Sequence, residues 1–233
     1  MREVFLLLNW RLVMALRHKI IVADDHPLFR AALQQAVRQA LSDAQIVEAD
    51  TLDGVHQAVA DNPDADLILL DLHMPGAHGF SGLVFLRGVN PGIPVVVVSG
   101  SEENSVIRRA IDYGASGFIP KSSSLDTIAA AIRQVIEGEV WIPPEMLGQM
   151  DEISEEEARF ADALSSLTPQ QFRVLNMLTE GLLNKQIAYE LNVSEATIKA
   201  HVTAILRKLG VHSRTQAVIA AKRLEVEAPR VTD

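Results

Sequence analysis

Five side chains at four separate places in the chain have the types that phosphoryl chemistry needs: Asp24, Asp25, Asp71, Ser99 and Lys121. Each stands at or just beyond the end of a short apolar run. Leu67-Ile68-Leu69-Leu70 precedes Asp71, Val95-Val96-Val97-Val98 precedes Ser99, and Gly117-Phe118-Ile119-Pro120 precedes Lys121. Three carboxylates brought to one place repel one another unless a cation neutralises them, and an all-oxygen donor set suits Mg²⁺. In such a pocket Asp71 could attack phosphorus. Mg²⁺ and Lys121 would neutralise the phosphoryl oxygens, and Ser99 would donate a hydrogen bond. Singly these residues mean little. An Asp at a strand end is a metal ligand, a nucleophile or a cap, and a Lys after a strand is ordinarily solvated. The combination at matching strand ends is what carries weight.

The elements that must hold them follow from periodicity. An unbroken apolar run bounded by Pro63 and by Pro75-Gly76 reads as a strand buried on both faces of a parallel sheet. Strands are predicted at Lys19–Ala23, Ala44–Ala49, Leu67–Leu70, Pro94–Val98 and Gly117–Ile119. Helices are predicted at Pro27–Ala40 and Leu125–Glu137, and around Leu52–Asp61, Phe80–Val89 and Glu103–Tyr113. Five strands alternating with five helices give an α/β, doubly wound parallel sheet. Right-handed crossovers leave few topologies, and the one expected is the flavodoxin-like order 2-1-3-4-5. That order sends the ends of the first and third strands to the topological switch point, so Asp24, Asp25 and Asp71 should converge. His26, His73 and His78 fall near the same pocket. They are expected on its rim, with metal ligation or proton relay as the alternative.

A different pattern begins at Leu167-Thr168-Pro169. Thr168 is a good N-cap and Pro169 a good first helical residue. Helices are predicted at about 169–180, 184–191, 195–209 and 213–224, with Gly181 and Gly210 at C-caps and Asn184, Ser194 and Ser213 at N-caps. In the third of these, Ile198, Val202, Ile205, Leu206 and Leu209 form an apolar stripe, and Lys199, Ala200, Thr203 and Arg207 lie opposite. The short turn Asn192-Val193-Ser194 joins it to the helix before, which makes a helix-turn-helix. A small bundle with a solvated charged face would show the same pattern.

Charge is uneven. The chain carries −9 in total, yet residues 166–224 hold eight basic and three acidic residues. A basic module behind an acidic body suggests that only the C-terminal part touches nucleic acid. The absence of cysteine excludes disulfides, thiolate catalysis and Cys-zinc sites and fits a reducing cytoplasm. The apolar residues 1–17, interrupted by Asn9 and Arg11, are too short to span a bilayer, which takes about 20. They are expected to be a disordered extension, with Met14 a candidate start and no stable membrane association. Residues 139–166, including the acidic stretch Asp151–Glu157, are expected to be a charged linker or a short amphipathic helix. The expected domains are thus an extension (1–17), an α/β domain (18–138), the linker (139–166), an all-α four-helix domain (167–226) and a tail (227–233).

Residues 19–138 resemble a response-regulator receiver domain. The resemblance is carried by Asp24-Asp25, by Asp71 in Leu-Leu-Asp-Leu-His-Met-Pro-Gly, by Ser99, and by Lys121 in Gly-Ala-Ser-Gly-Phe-Ile-Pro-Lys. Leu167-Thr168-Pro169-Gln170-Gln171, Glu180 to Ala188, Val193 to His201, Ile205 to Val211 and Ser213 to Ala217 resemble the LuxR-type output domain. Together the match is to the NarL/FixJ family over about residues 19–224. It implies Asp71 as phosphoacceptor, Asp25 as a direct Mg²⁺ ligand assisted by Asp24, the backbone carbonyl of His73 as a further ligand, and Ser99 with Phe118 as a switch pair. Lys121 is followed by Ser122, where many relatives have proline. It also implies Lys199, Ala200 and Thr203 at base edges, and Lys185, Thr197, Arg207, Lys208 and Arg214 near phosphates. A sensor histidine kinase, double-stranded DNA and a second copy of the chain are the implied partners. The function so implied is a phosphorylation-switched transcription regulator rather than an enzyme. An aspartyl-phosphate phosphatase or phosphotransferase is the alternative, and it wants a second acid where His73 stands. A phosphorylation-independent DNA-binding regulator is the third reading.

Overall fold

The computed structural model describes residues 17–77, 79–146, 155–222 and 224–226. The N-terminal extension up to residue 16, His78, Arg223 and the tail from 227 lie outside these residues, as do 147–154 of the expected linker.

Five strands form one sheet in the order β2-β1-β3-β4-β5, every neighbouring pair parallel. They are β1 (Lys19–Ala23), β2 (Gln45–Ala49), β3 (Leu67–Asp71), β4 (Val95–Ser99) and β5 (Gly117–Pro120). The expected 2-1-3-4-5 topology is thus the observed one. β3 and β4 are buried along their whole length, which is why both are unbroken apolar runs rather than alternating ones. Helices α1 (Pro27–Ala40), α2 (Leu52–Asp61), α3 (Ser81–Val89), α4 (Asn104–Asp112) and α5 (Leu125–Ile136) complete the units. Thr51 caps α2 and Ser124 caps α5, each accepting a backbone N–H from the first turn. One sheet face, with Ile20, Val22, Leu67, Leu69, Val96 and Val98, packs against Leu33, Val37, Ile128 and Ile132 of α1 and α5.

The other face carries the cluster that unites the molecule. It runs from Ile21, Ile68, Leu70 and Val97 through α2 and α3 into Phe172, Leu175, Ile198 and Ile205 of the C-terminal helices without interruption. Those helices are α6 (Glu155–Ser165), α7 (Pro169–Thr179), α8 (Asn184–Glu190), α9 (Glu195–Lys208) and α10 (Arg214–Lys222). A capping box closes the start of α7: Thr168 Oγ1 accepts from Gln171 N, and Thr168 N donates to Gln171 Oε1. Ser194 caps α9 and Ser213 accepts from Gln216 N. The expected cap at Asn184 is displaced by one: Leu183 holds the N-cap position, and its N–H donates to Gln186 Oε1.

Of the two expectations for the acidic segment, a charged linker or a short amphipathic helix, residues 155–165 take the second: they form α6, with Ala161 and Leu164 buried. The helix lies so close to α3 that a Cβ built on Gly88 would stand 2.4 Å from the Ser165 carbonyl oxygen. Exposed Glu155 and Asp162 beside buried Ala161 and Leu164 show an amphipathic helix within an acidic composition that by itself reads as linker.

Candidate functional site

The crossover geometry of the sheet brings Asp24, Asp25 and Asp71 together beside the end of β5. Asp24 is fully buried and Asp71 1% exposed, whereas Asp25 and His26 lie at the mouth. Lys121 Nζ reaches Asp71 Oδ2 at 2.8 Å and Asp24 Oδ2 at 2.7 Å. Burial by itself would lower the Lys121 pKa. The hydrogen bonds and charges of Asp24 and Asp71 outweigh that and raise it, so the ammonium stays charged at any physiological pH. Its Nζ also lies 4.9 Å from the centroid of the Phe29 ring. Asp71 Oδ1 accepts the backbone N–H of His73 at 3.2 Å. Ser99 Oγ is buried one strand over and accepts the N–H of Ser101 at 3.1 Å. Phe118 is fully buried on β5.

Arg30, which the sequence motifs do not single out, pins the acid loop. Its Nη1 donates to the Asp24 carbonyl at 2.6 Å and its Nε to Glu48 Oε2 at 2.9 Å. Phe29, Ser101 and Arg30 are ordinary residue types on ordinary elements, so no sequence signal marks them. Only their position around the pocket does.

The donor set fits a small divalent cation. Asp24, Asp25, His26 and Asp71 each offer a ligand atom, all within 4.8 Å of one another. Asp25 Oδ1 is buried and makes no hydrogen bond of ordinary geometry, its near neighbour being the His26 ring nitrogen at 2.8 Å. Carboxylate oxygens gathered in this way are what a cation would satisfy.

On the C-terminal side, Lys185, Thr197, Lys199, Ala200, Thr203 and Arg207 are all exposed. α9 presents Lys199, Ala200, Thr203 and Arg207 along one outer face, while Ile198 and Ile205 are buried beneath. Lys199 pairs with Glu195 at 3.1 Å. Lys208 and Arg214 are placed differently. Lys208 Nζ donates to the Ser166 carbonyl and Arg214 Nη2 to the Leu182 carbonyl, so both cations brace their own module.

The two halves dock face to face. Phe85 of α3 stacks on Phe172 of α7 at 4.4 Å between centroids, and His56 of α2 lies 4.6 Å from Phe85. Asn176 Nδ2 donates to the Gly76 carbonyl at 2.7 Å, and Arg173 pairs with Asp53 at 3.0 Å. Beyond α10, Leu224 is fully buried and its carbonyl accepts the Phe80 N–H. Val226 O lies 3.3 Å from His73 Nε2. Sequence reasoning missed this interface, since its members read as ordinary core or surface residues of two separate modules. Among the described residues no helix is long and apolar enough to cross a membrane.

Comparison with known proteins agrees with this architecture. The family described as "Response regulator receiver domain" matches residues 20–133, and "Bacterial regulatory proteins, luxR family" matches residues 165–221. The glycerol metabolism activator of Pseudomonas putida is 44% identical over 216 residues, 91% of this chain and 98% of that protein. The nitrate/nitrite response regulator protein NarP of Escherichia coli is 36% identical over 202 residues, covering 86% and 93%. Among solved structures, a complex of the response regulator RcsB with DNA has a TM-score of 0.50 at 22% identity. It covers 88% of this chain and 97% of that one, and it shares the fold. With a receiver fold carrying an acid pocket and a LuxR-type helix-turn-helix behind it, this chain belongs to the two-component response regulators that act as DNA-binding transcription regulators.

Proposed function

We propose that Asp71 is the phosphoacceptor and that its phosphorylation governs how the receiver holds the output module. The observation that carries this is the placement of Asp71. It is buried between Lys121 and the acid pair, with one oxygen on the ammonium and the other on a backbone N–H. A sensor histidine kinase or a small phosphodonor supplies the group. An Asp71 oxygen forms the new bond to phosphorus, and the bond to the donor breaks with its electron pair leaving on the donor atom. Lys121, fixed as a cation, neutralises a phosphoryl oxygen. Ser99 exchanges its acceptor role toward Ser101 for donation to the phosphoryl group. Mg²⁺, when bound by Asp24, Asp25, Asp71 and the His73 carbonyl, would neutralise the remaining charge.

The new group adds about −1.5 to −2 charges. The strand end that receives it runs straight into the loop 73–80, and that loop holds Asn176, Leu224 and Val226 of the output module. A shift of this loop toward the phosphoryl group loosens those contacts. The docked and released forms are two populations, and phosphorylation moves the balance between them. The docked form leaves the outer face of α9 exposed, so release acts on pairing rather than on uncovering base-reading side chains. Two freed output modules bind a two-fold operator as a homodimer. Ile219, apolar and 55% exposed on α10, is suited to that pairing.

Base edges are read by Lys199, Ala200 and Thr203, and phosphates are approached by Lys185, Thr197 and Arg207. Lys208 and Arg214 join them only if they leave the carbonyls they now brace. The protein works in the cytoplasm.

The test is intact-mass analysis after treatment with acetyl phosphate and Mg²⁺, followed by peptide mapping and selection of bound DNA with and without the phosphodonor. One phosphoryl adduct on Asp71 and tighter binding in the treated sample are expected. No adduct, or an adduct elsewhere, overturns the reading.

A further inference from the structure

Arg30 carries no reacting atom, yet it holds the backbone on which two of the three acids stand. Asp24 and Asp25 lie in the short connection between Ala23, where β1 ends, and Pro27, where α1 begins. Asp24 is held at three points. Its N–H donates to the Ala49 carbonyl at 3.1 Å, its Oδ1 accepts the His26 N–H at 2.7 Å, and its carbonyl accepts Arg30 Nη1 at 2.6 Å. The last of these bonds governs the next residue. A peptide unit is planar, so the Asp24 carbonyl oxygen and the Asp25 Cα move as one plate. Fixing the oxygen fixes the direction from which the Asp25 carboxylate enters the pocket.

The guanidinium reaches that oxygen as part of a bridge between three elements. Arg30 sits in the first turn of α1, where its own N–H donates to the His26 carbonyl at 2.9 Å. Its Nε donates to Glu48 Oε2, on β2, at 2.9 Å. A planar fork held at two of its edges has its orientation set, which a lysine ammonium could not reproduce. The Arg30 side chain is 19% exposed and that of Glu48 51%, so the ion pair stabilises little by itself. Its effect is to aim the inner edge of the fork at Asp24.

We infer that Arg30 is a positioning residue for the phosphoryl site, with Glu48 as its orienter. By holding the Asp24–Asp25 peptide plane, the bridge sets the affinity of the pocket for its divalent ion. The inference rests on the pocket being the Mg²⁺-assisted phosphoryl site proposed above, and goes beyond it in naming two residues outside the acid set. The sign of the effect separates positioning from charge. Arg30 is a cation beside a cation site, so deleting it would, through charge alone, tighten Mg²⁺ binding. A site that weakens without Arg30 has lost geometry.

The experiment uses the full chain and three readouts: Mg²⁺ calorimetry, acetyl phosphate labelling of Asp71 against Mg²⁺ concentration, and amide exchange of the ion-free protein. Arg30→Ala should weaken Mg²⁺ binding about tenfold, the scale of a lost partner outside the ligand set. The Mg²⁺ concentration for half-maximal labelling should rise by the same factor. The His26 amide should exchange faster, while those of Leu69 and Val97 in the buried strands keep wild-type protection. A merely structural role would move all three amides. Glu48→Ala should weaken Mg²⁺ binding in the same direction and add nothing in the double variant. Arg30→Lys, which keeps the charge, should restore little of the lost affinity. Mg²⁺ affinity equal to or above wild type in Arg30→Ala and Arg30→Lys, or a uniform loss of amide protection, overturns the role of Arg30 and leaves the phosphoryl site standing. Full recovery with lysine, or additive losses in the double variant, overturns the bridge. Wild type that neither binds Mg²⁺ nor takes the label overturns the phosphoryl site as well.

Discussion

The backbone N–H of Phe80, at the start of α3, donates to the carbonyl of Leu224, just past α10, at 2.9 Å. This single bond joins the loop that follows the phosphoacceptor strand to the last described stretch of the chain. Leu224 is completely buried beneath it. The contact makes the C-terminal segment a strap across the receiver, and it places the strap a few residues from Asp71.

Gly79 should be the most sensitive position in that strap. Its φ is +57°, and a Cβ there would meet Leu224 O at 2.2 Å and Val226 N at 2.6 Å. Asparagine tolerates the left-handed backbone, so Gly79→Asn separates the clash from the strain. The receiver should stay folded while the strap is expelled. Tryptic cleavage within residues 139–166 should quicken by about tenfold, the shift that loss of roughly 1.4 kcal/mol of docking would give. DNA binding should rise without phosphodonor. A variant with wild-type cleavage and wild-type DNA binding would show that the strap does not hold the domains.

The aromatic contact should outweigh the ion pair beside it. Phe172 is fully buried against Phe85, so Phe172→Ala should cost about 3–5 kcal/mol. Arg173 pairs with Asp53 across a surface where both are about half exposed, so Arg173→Ala should cost less than about 1 kcal/mol. Urea unfolding of the two variants measures the ratio.

Docking should weaken in acid. His56 lies in the interface between Phe85 and Phe172, and burial lowers its pKa from 6.5. Asp53 opposes that shift and Arg173 adds to it. A depressed histidine pKa means that the docked state prefers the neutral ring. Its contribution is present above pH 6.5 and is lost as the pH falls through the lowered value. Faster linker proteolysis at pH 5.5 than at pH 7.5 is expected, and His56→Gln should flatten the difference. Stronger docking at the lower pH would contradict the assignment.

Asp71→Asn should stabilise the ion-free protein while abolishing the adduct. In the absence of a divalent ion, three carboxylates crowd one pocket and the Lys121 ammonium pairs with two of them, Asp24 and Asp71. Removing one charge relieves about 1 kcal/mol of repulsion, which calorimetry would register as a rise in Tm of about 2–8 °C. Saturating Mg²⁺ should then stabilise the variant less than the wild type.

The sequence by itself determined the sheet and its order, because buried parallel strands leave unbroken apolar runs and right-handed crossovers allow few arrangements. It also determined the pocket, since Asp24, Asp25, Asp71 and Lys121 terminate strands whose ends must meet. The helix-turn-helix was legible from the apolar stripe of α9 and the caps at Thr168 and Ser194. Tertiary structure alone decided the rest. Helix α6 hides its inner Ala161 and Leu164 within an acidic composition. His56, Phe85, Phe172 and Leu224 look like ordinary residues of separate modules until the docked surfaces show what each one touches. Contacts between units that fold on their own periodicity leave no periodicity of their own, so no local pattern could have announced them.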